Sequence, residues 1–219
     1  MQEETMFNPT VQSYIQQRTG EFETIPAERR ERLGELAGFV EQRLGAGQTA
    51  KLTFICTHNS RRSHFAQLWA RAAADYFGVP DVATFSGGTE ATAFNPRAVA
   101  AMRRAGFVID QTTDDSNPVY EVRYTDTARP MQAFSKVYNE FPNPGEDFCA
   151  VMTCGDADAN CPVVPGAARR VAIPYEDPKN YDDTEREQSA YDERCAQIGR
   201  EMLYLFSLVT VNNAEKERT

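Results

Sequence analysis

Apolar positions along the first quarter of the chain recur three or four residues apart. In "IPAERRERLGELAGFVEQRLGAG", Leu33, Leu36, Val40 and Leu44 fall on one side of a helix, with Pro26 near its start and Gly45 after its end. This amphipathic stretch predicts a helical N-terminal extension over 1–50, packed as a brace on a catalytic domain over 51–219. From Lys51 the period alternates. "KLTFI" is a buried strand pattern, and "SHFAQLWARAAADYF" is helical with Phe65, Leu68, Trp69, Ala72 and Tyr76 on one side; "DVATFS" reads as a second strand. "NPRAVAAMRRAGF" follows as a helix capped by Asn95, with Pro96 at its first position and Gly106 closing it. "FCAVMT" and "RRVAIP" give two more short strands, and "QSAYDERCAQIGREMLYLFSLV" a long last helix. Strands alternating with helices predict an α/β fold with a four-stranded parallel sheet flanked by helices.

Residues 111–147 break the alternation. "PVYEVRY" and "MQAFSKVYN" are aromatic and β-branched runs, separated by "TDTARP" and followed by the turn-rich "EFPNPGED". A structureless loop of this length is unusual in a compact domain, so the segment is read as an inserted hairpin or lid beside the sheet.

Composition narrows the function. The 219 residues suffice for one good core, and no apolar run is long enough to span a bilayer. "MQEETMFNPT" lacks the basic then apolar order of a secretory signal, so the expected location is the cytoplasm, with no membrane partner. A net charge of -9 argues against a sequence-independent grip on nucleic acid. Five cysteines, an odd number without an export signal, are better read as core or reactive thiols than as a disulfide scaffold.

The reactive candidate is Cys56, at the carboxyl end of the first strand, where parallel sheets bind ligands. Thr57, His58, Asn59, Ser60, Arg61 and Arg62 would wrap a loop whose N–H groups point inward, and the next helix adds positive charge at its start. Such a site accepts a tetrahedral oxyanion and favours a nucleophilic thiolate. Arg62 would clamp the oxyanion through two parallel hydrogen bonds, and Ser63 would support the thiolate. The glycines and Lys-Ser/Thr pair of a nucleotide P-loop are missing.

"CTHNSRRS" resembles the active-site loop of the low-molecular-weight protein tyrosine phosphatase family, and specifically its thioredoxin-coupled arsenate reductase branch. The resemblance spans about 51–209, interrupted by the insertion. It implies Cys56 as nucleophile, Arg62 as clamp, and Asn59 and Ser63 as loop-ordering and thiolate-stabilising residues. His58 stands where that family usually has glycine, and would have to tolerate whatever dihedral the loop imposes. Arg61 replaces an uncharged residue, and its extra charge would favour a highly charged substrate.

"VMTCGDADANCP" carries Cys154 and Cys161. By themselves they read as a buried cysteine and a coincidental neighbour, and no further ligands cluster there to suggest a metal site. The resemblance instead implies a redox pair: Cys56 attacks arsenate, Cys154 attacks Cys56, and Cys161 takes over Cys154, leaving a disulfide for thioredoxin to reduce. No cofactor or metal is implied. In "IPYEDPKNYDD", Asp177 before Pro178 matches the position of the family's general acid, Glu176 is the fallback, and Asp182 and Asp183 are assigned to the start of the last helix, where Thr184 and Glu187 have capping-box spacing. Cys149 and Cys195 read as structural. The same loop would serve a phosphatase acting on phosphotyrosine or a small phosphoester, with Tyr120, Tyr124 and Tyr138 as its aromatic wall. A non-catalytic oxyanion-binding module is the third reading.

Overall fold

The computed structural model describes residues 6–160 and 163–210. In chain order the elements begin with α1 (Pro9–Thr19), α2 (Ala27–Gly45), β1 (Ala50–Cys56), α3 (Arg62–Tyr76) and β2 (Val82–Gly88). They continue with α4 (Pro96–Arg104), β3 (Val108–Gln111), β4 (Tyr120–Arg123) and β5 (Met131–Ala133). The last are β6 (Phe148–Met152), α5 (Gly155–Asn160), β7 (Ala167–Ala172) and α6 (Glu187–Ser207).

The main sheet has four parallel strands in the order β2-β1-β6-β7, as the alternating pattern predicts. Its two faces are unequally covered. Leu52, Phe54, Cys149, Val151 and Val171 face a large core shared with α2, α3 and α6, whereas Ile55, Phe148, Ala150 and Met152 face a smaller cluster with Ala157 of α5 and Val164. The period-2 alternation within β1 and β6 is what divides the two cores. Asn95 caps α4 by accepting from the Arg97 N–H at 2.9 Å, with Pro96 at the first helical position. The α2 residues Leu33, Leu36 and Val40 are fully buried, and this helix packs on α6, β7 and β1.

One element was not read from the sequence, and the inserted hairpin was read only in part. Helix α1 buries only Val11 and Ile15, too sparse a stripe to stand out, although Asn8 caps it and Pro9 opens it. Its start presses against Gly106, where φ is +103° and an added Cβ would lie 2.7 Å from the Val11 nitrogen. The insertion forms a separate three-stranded antiparallel sheet, β3-β4-β5, whose first strand starts ahead of residue 111. Of "MQAFSKVYN" only Met131–Ala133 is strand. Past Ala133 the chain crosses the carboxyl end of β2 instead, where Gly88 donates to the Lys136 carbonyl at 2.9 Å and the Tyr138 N–H donates to the Gly88 carbonyl at 2.9 Å.

Candidate active site

The sheet registers bring the carboxyl ends of three strands level. Cys56 pairs with Gly88 across β1 and β2, and Ile55 with Met152 across β1 and β6; one residue further, the Thr153 N–H donates to the Ile55 carbonyl at 2.7 Å. Cys56, Gly88 and Cys154 therefore gather at one edge. Cys56 is 3% exposed, with its Sγ 3.1 Å from Ser63 Oγ in the first turn of α3.

The loop between them is held from outside through its carbonyls. Cys56 O accepts from Thr89 N–H at 3.1 Å, Thr57 O from Glu90 N–H at 3.0 Å, and Ser60 O from Asn95 N–H at 2.9 Å. His58 O accepts the hydroxyls of Thr92 and Ser135 at 3.1 and 3.0 Å. Among the described residues, the N–H groups of Thr57, His58, Asn59, Ser60 and Arg61 have no hydrogen-bond acceptor. Outward carbonyls and unclaimed N–H groups are the construction of an anion-binding nest. Gly88 is required by it: a Cβ there would lie 2.2 Å from Glu90 O, 2.6 Å from Thr57 O and 2.7 Å from Asn59 N.

Arg62, 8% exposed, donates through Nη1 to Tyr175 O at 3.0 Å and through Nη2 to Asp177 Oδ2 at 2.6 Å; its buried Nε has no partner among the described residues. Asp177 also accepts from the Lys179 N–H at 3.1 Å, as the cap of the 3-10 turn Pro178–Tyr181. The acid and the arginine selected from sequence are thus in direct contact, and Glu176 pairs instead with Arg194 at 3.3 Å. Cys154 is fully buried beside the loop, its Sγ 3.5 Å from Thr57 Oγ1 and accepting the Ala157 N–H at 3.3 Å. Cys161 lies outside the described residues.

Several expectations are corrected by the geometry. The left-handed dihedral of the loop falls on Asn59, φ 45°, not on His58, so the residue at His58 is spared the strain. Asn is among the side chains that best tolerate that region. His58 instead pairs with Glu90 at 2.9 Å, both half exposed. Arg61 does not lend its charge freely to a substrate: its Nε donates to Tyr191 Oη at 2.8 Å, and Asp182 lies 3.8 Å from its Nη2. Asp182 accordingly serves Arg61, Arg97 and Tyr191, and it is Asp183 whose N–H meets Glu187, at 2.7 Å. Tyr120 and Tyr124 form no wall at the loop, because both are buried, one against Phe94 and the other against Phe7 and Phe107.

Cys149 and Cys195 are core thiols, as read from sequence; burial pushes each up to about 12. Sequence reasoning passed over His64, which is fully buried, stacked on Phe94 with centroids 4.1 Å apart, and held neutral because burial drives its pKa well below the ordinary value. Its place in an apolar helical stripe gave no signal of chemistry. Among the described residues, no group of three or more His, Cys, Asp or Glu side chains is arranged to hold a metal.

The fold is that of an α/β enzyme whose first strand ends at a cysteine and whose next helix opens at an arginine. No family model matches the chain. An arsenate reductase of Bacillus licheniformis is 31% identical over 142 residues, 64% of this chain and 83% of that protein. One of Bacillus subtilis is 30% identical over 141 residues, again 64% and 83%. A solved arsenate reductase in the phosphate binding state aligns with a TM-score of 0.48 and 19% identity, over 74% of this chain and all of the other. The chain belongs to the arsenate reductase family.

Proposed function

We propose that this protein reduces arsenate to arsenite through Cys56, Cys154 and Cys161, with thioredoxin as reductant. The observation that carries the reading is the placement of two buried thiols at one loop: Cys56 at its start, against Ser63, and Cys154, from just past the end of β6, against Thr57. A phosphatase needs the first and has no use for the second.

In the proposed sequence, arsenate enters the nest of N–H groups and draws Arg62 from Asp177. The carboxylate, left beside negative charge, takes up a proton and passes it to the departing oxygen. Cys56 thiolate forms an S–As bond as that oxygen leaves as water. Cys154 thiolate then attacks Cys56 Sγ; the S–As bond breaks with its electron pair remaining on arsenic, which departs as arsenite. Cys161 thiolate next attacks the Cys154 sulfur and expels Cys56 as thiolate. A thioredoxin dithiol supplies the two electrons that reduce the remaining Cys154–Cys161 disulfide.

The test is a single turnover of fully reduced protein with arsenate, with arsenite detection and disulfide mapping by mass spectrometry. One equivalent of arsenite and a Cys154–Cys161 bridge are expected, and Cys154→Ser should release none. Phosphoester hydrolysis dependent on Cys56, without arsenite or a new disulfide, would replace this reading with the phosphatase.

A further inference from the structure

The inserted segment reaches the anion loop at points that sheet pairing does not require. Ser135 Oγ donates to His58 O at 3.0 Å while accepting the Thr92 N–H at 2.8 Å. One residue on, the Lys136 N–H donates to Asn59 Oδ1 at 2.9 Å. The lysine's side chain is engaged elsewhere, donating to Phe134 O at 3.1 Å and lying over the Phe134 ring, so it is the backbone here that meets the loop. That backbone is gripped by Asn117, whose Nδ2 donates to Ser135 O at 2.8 Å and whose Oδ1 accepts the Ser135 N–H at 3.1 Å. The side-chain amide of Asn117 thus does for Ser135 what a neighbouring strand would do.

The direction of the hydrogen bonds follows from what each group can do. A backbone N–H only donates, so Asn59 must turn its oxygen to Lys136 and its Nδ2 to Ser63 Oγ, 2.9 Å away. Ser63 Oγ, accepting there, has one proton left, and Cys56 Sγ lies 3.1 Å away to receive it. A hydrogen bond donated to sulfur favours the thiolate. Were the Lys136 N–H displaced, the Asn59 amide could rotate, present its oxygen to Ser63 and draw that proton away from Cys56.

We propose that Asn117 is a positioning residue for the nucleophile: by fixing the Ser135–Lys136 backbone it sets the orientation of the Asn59 amide and hence directs the Ser63 proton to Cys56. The inserted segment is by this account part of the nucleophile's support. The inference rests on the reading of Cys56 as the nucleophile.

The experiment measures alkylation of Cys56 by iodoacetamide, followed by mass spectrometry, in full-length wild type, Asn117→Ala, Asn117→Asp and the control Asn8→Ala. Asn8 caps α1 and donates to Gly106 O, and its side chain bonds no member of this relay. Each protein is measured near neutral pH and again near pH 10, above the range in which an unperturbed thiol ionises. Asn117→Ala is expected to react about tenfold more slowly than wild type near neutral pH and equally fast at high pH. Asn117→Asp, which keeps the acceptor and loses the donor, should fall between, and it carries the test if the alanine variant does not fold. Asn8→Ala should match wild type at both. Equal rates for wild type and the Asn117 variants would overturn the proposal, as would an equal slowing at both pH values, which reports access to the thiol. A wild-type Cys56 no faster than a free thiol near neutral pH would instead overturn the nucleophile reading.

Discussion

Arg62 donates to Asp177 at 2.6 Å, so the anion clamp and the proton donor selected from the sequence occupy each other. An incoming oxyanion must compete with that carboxylate for the guanidinium. Asp177→Asn removes the competing charge while keeping the shape. We expect it to bind inorganic phosphate or arsenate at least as tightly as wild type in calorimetry, and to turn over arsenate about 10²–10⁴-fold more slowly, the range for losing a general acid. Weaker binding with unchanged turnover would show that Asp177 organises the site without transferring a proton.

The anion loop depends equally on a residue that contributes no side chain. A methyl group on Gly88 would meet Glu90 O, Thr57 O and Asn59 N, all backbone atoms that cannot swing aside. Gly88→Ala is therefore expected to lose measurable phosphate binding and to lower the melting temperature, at a cost of about 1–3 kcal/mol for an overpacked site. Retention of wild-type phosphate affinity would contradict the tight seat of the loop on β2.

What could be read in the sequence was what is contiguous in it. Cys56 to Ser63 lies in one strand–loop–helix step, so the residue order alone places the thiol, the N–H groups and Arg62 together. The cap at Asn95 and the stripe of α2 were legible for the same reason. Tyr191 meets Arg61 across 130 positions and Ser135 meets His58 across 77, and neither contact has a period or a spacing to betray it. The expectation that Arg61 would offer spare charge failed on this account. Its charge is met by Asp177 and Asp182, on the segment ahead of the last helix, and its Nε by the Tyr191 hydroxyl on that helix.

The two core thiols make a prediction about pH. Cys195 accepts the Trp69 Nε1–H at 3.3 Å, and burial raises its pKa from 9.0 to about 12. The folded state therefore keeps its proton after the unfolded chain has released it. Stability from this group is full below about pH 9 and is lost as the pH rises from there toward 12. At neutral pH, Cys195→Ala should cost about 1–3 kcal/mol, the indole N–H being left buried and unpaired. The variant has no thiol to ionise on unfolding, so its deficit against wild type should shrink by about 1.4 kcal/mol per pH unit above pH 9. Denaturant melts of both proteins from neutral to alkaline pH measure this, and a constant deficit would refute it. Native alkylation at neutral pH should likewise spare Cys149 and Cys195.

The segment carrying Asp177 is held between two arginines from opposite directions. Arg62 takes the Tyr175 carbonyl from within the site, and Arg29, on α2, takes the neighbouring Pro174 carbonyl at 2.5 Å from outside. Arg29 also stacks over the Tyr175 ring and lies 3.5 Å from Glu201, the buried carboxylate that accepts the Tyr175 hydroxyl at 2.8 Å. Helix α2 therefore bears on the acid loop through one side chain that touches neither Cys56 nor Arg62. Arg29→Ala removes this outer hold and leaves Glu201 with less compensation, which should destabilise the protein by about 1–3 kcal/mol. If the hold also fixes where Asp177 sits, arsenate turnover should fall several-fold with little change in phosphate affinity, since the nest of N–H groups is anchored elsewhere. Arg29→Lys keeps a charge near Glu201 but loses the planar stack and forked geometry, so stability should recover more than turnover does. Equal loss and recovery of both would assign Arg29 to stability alone.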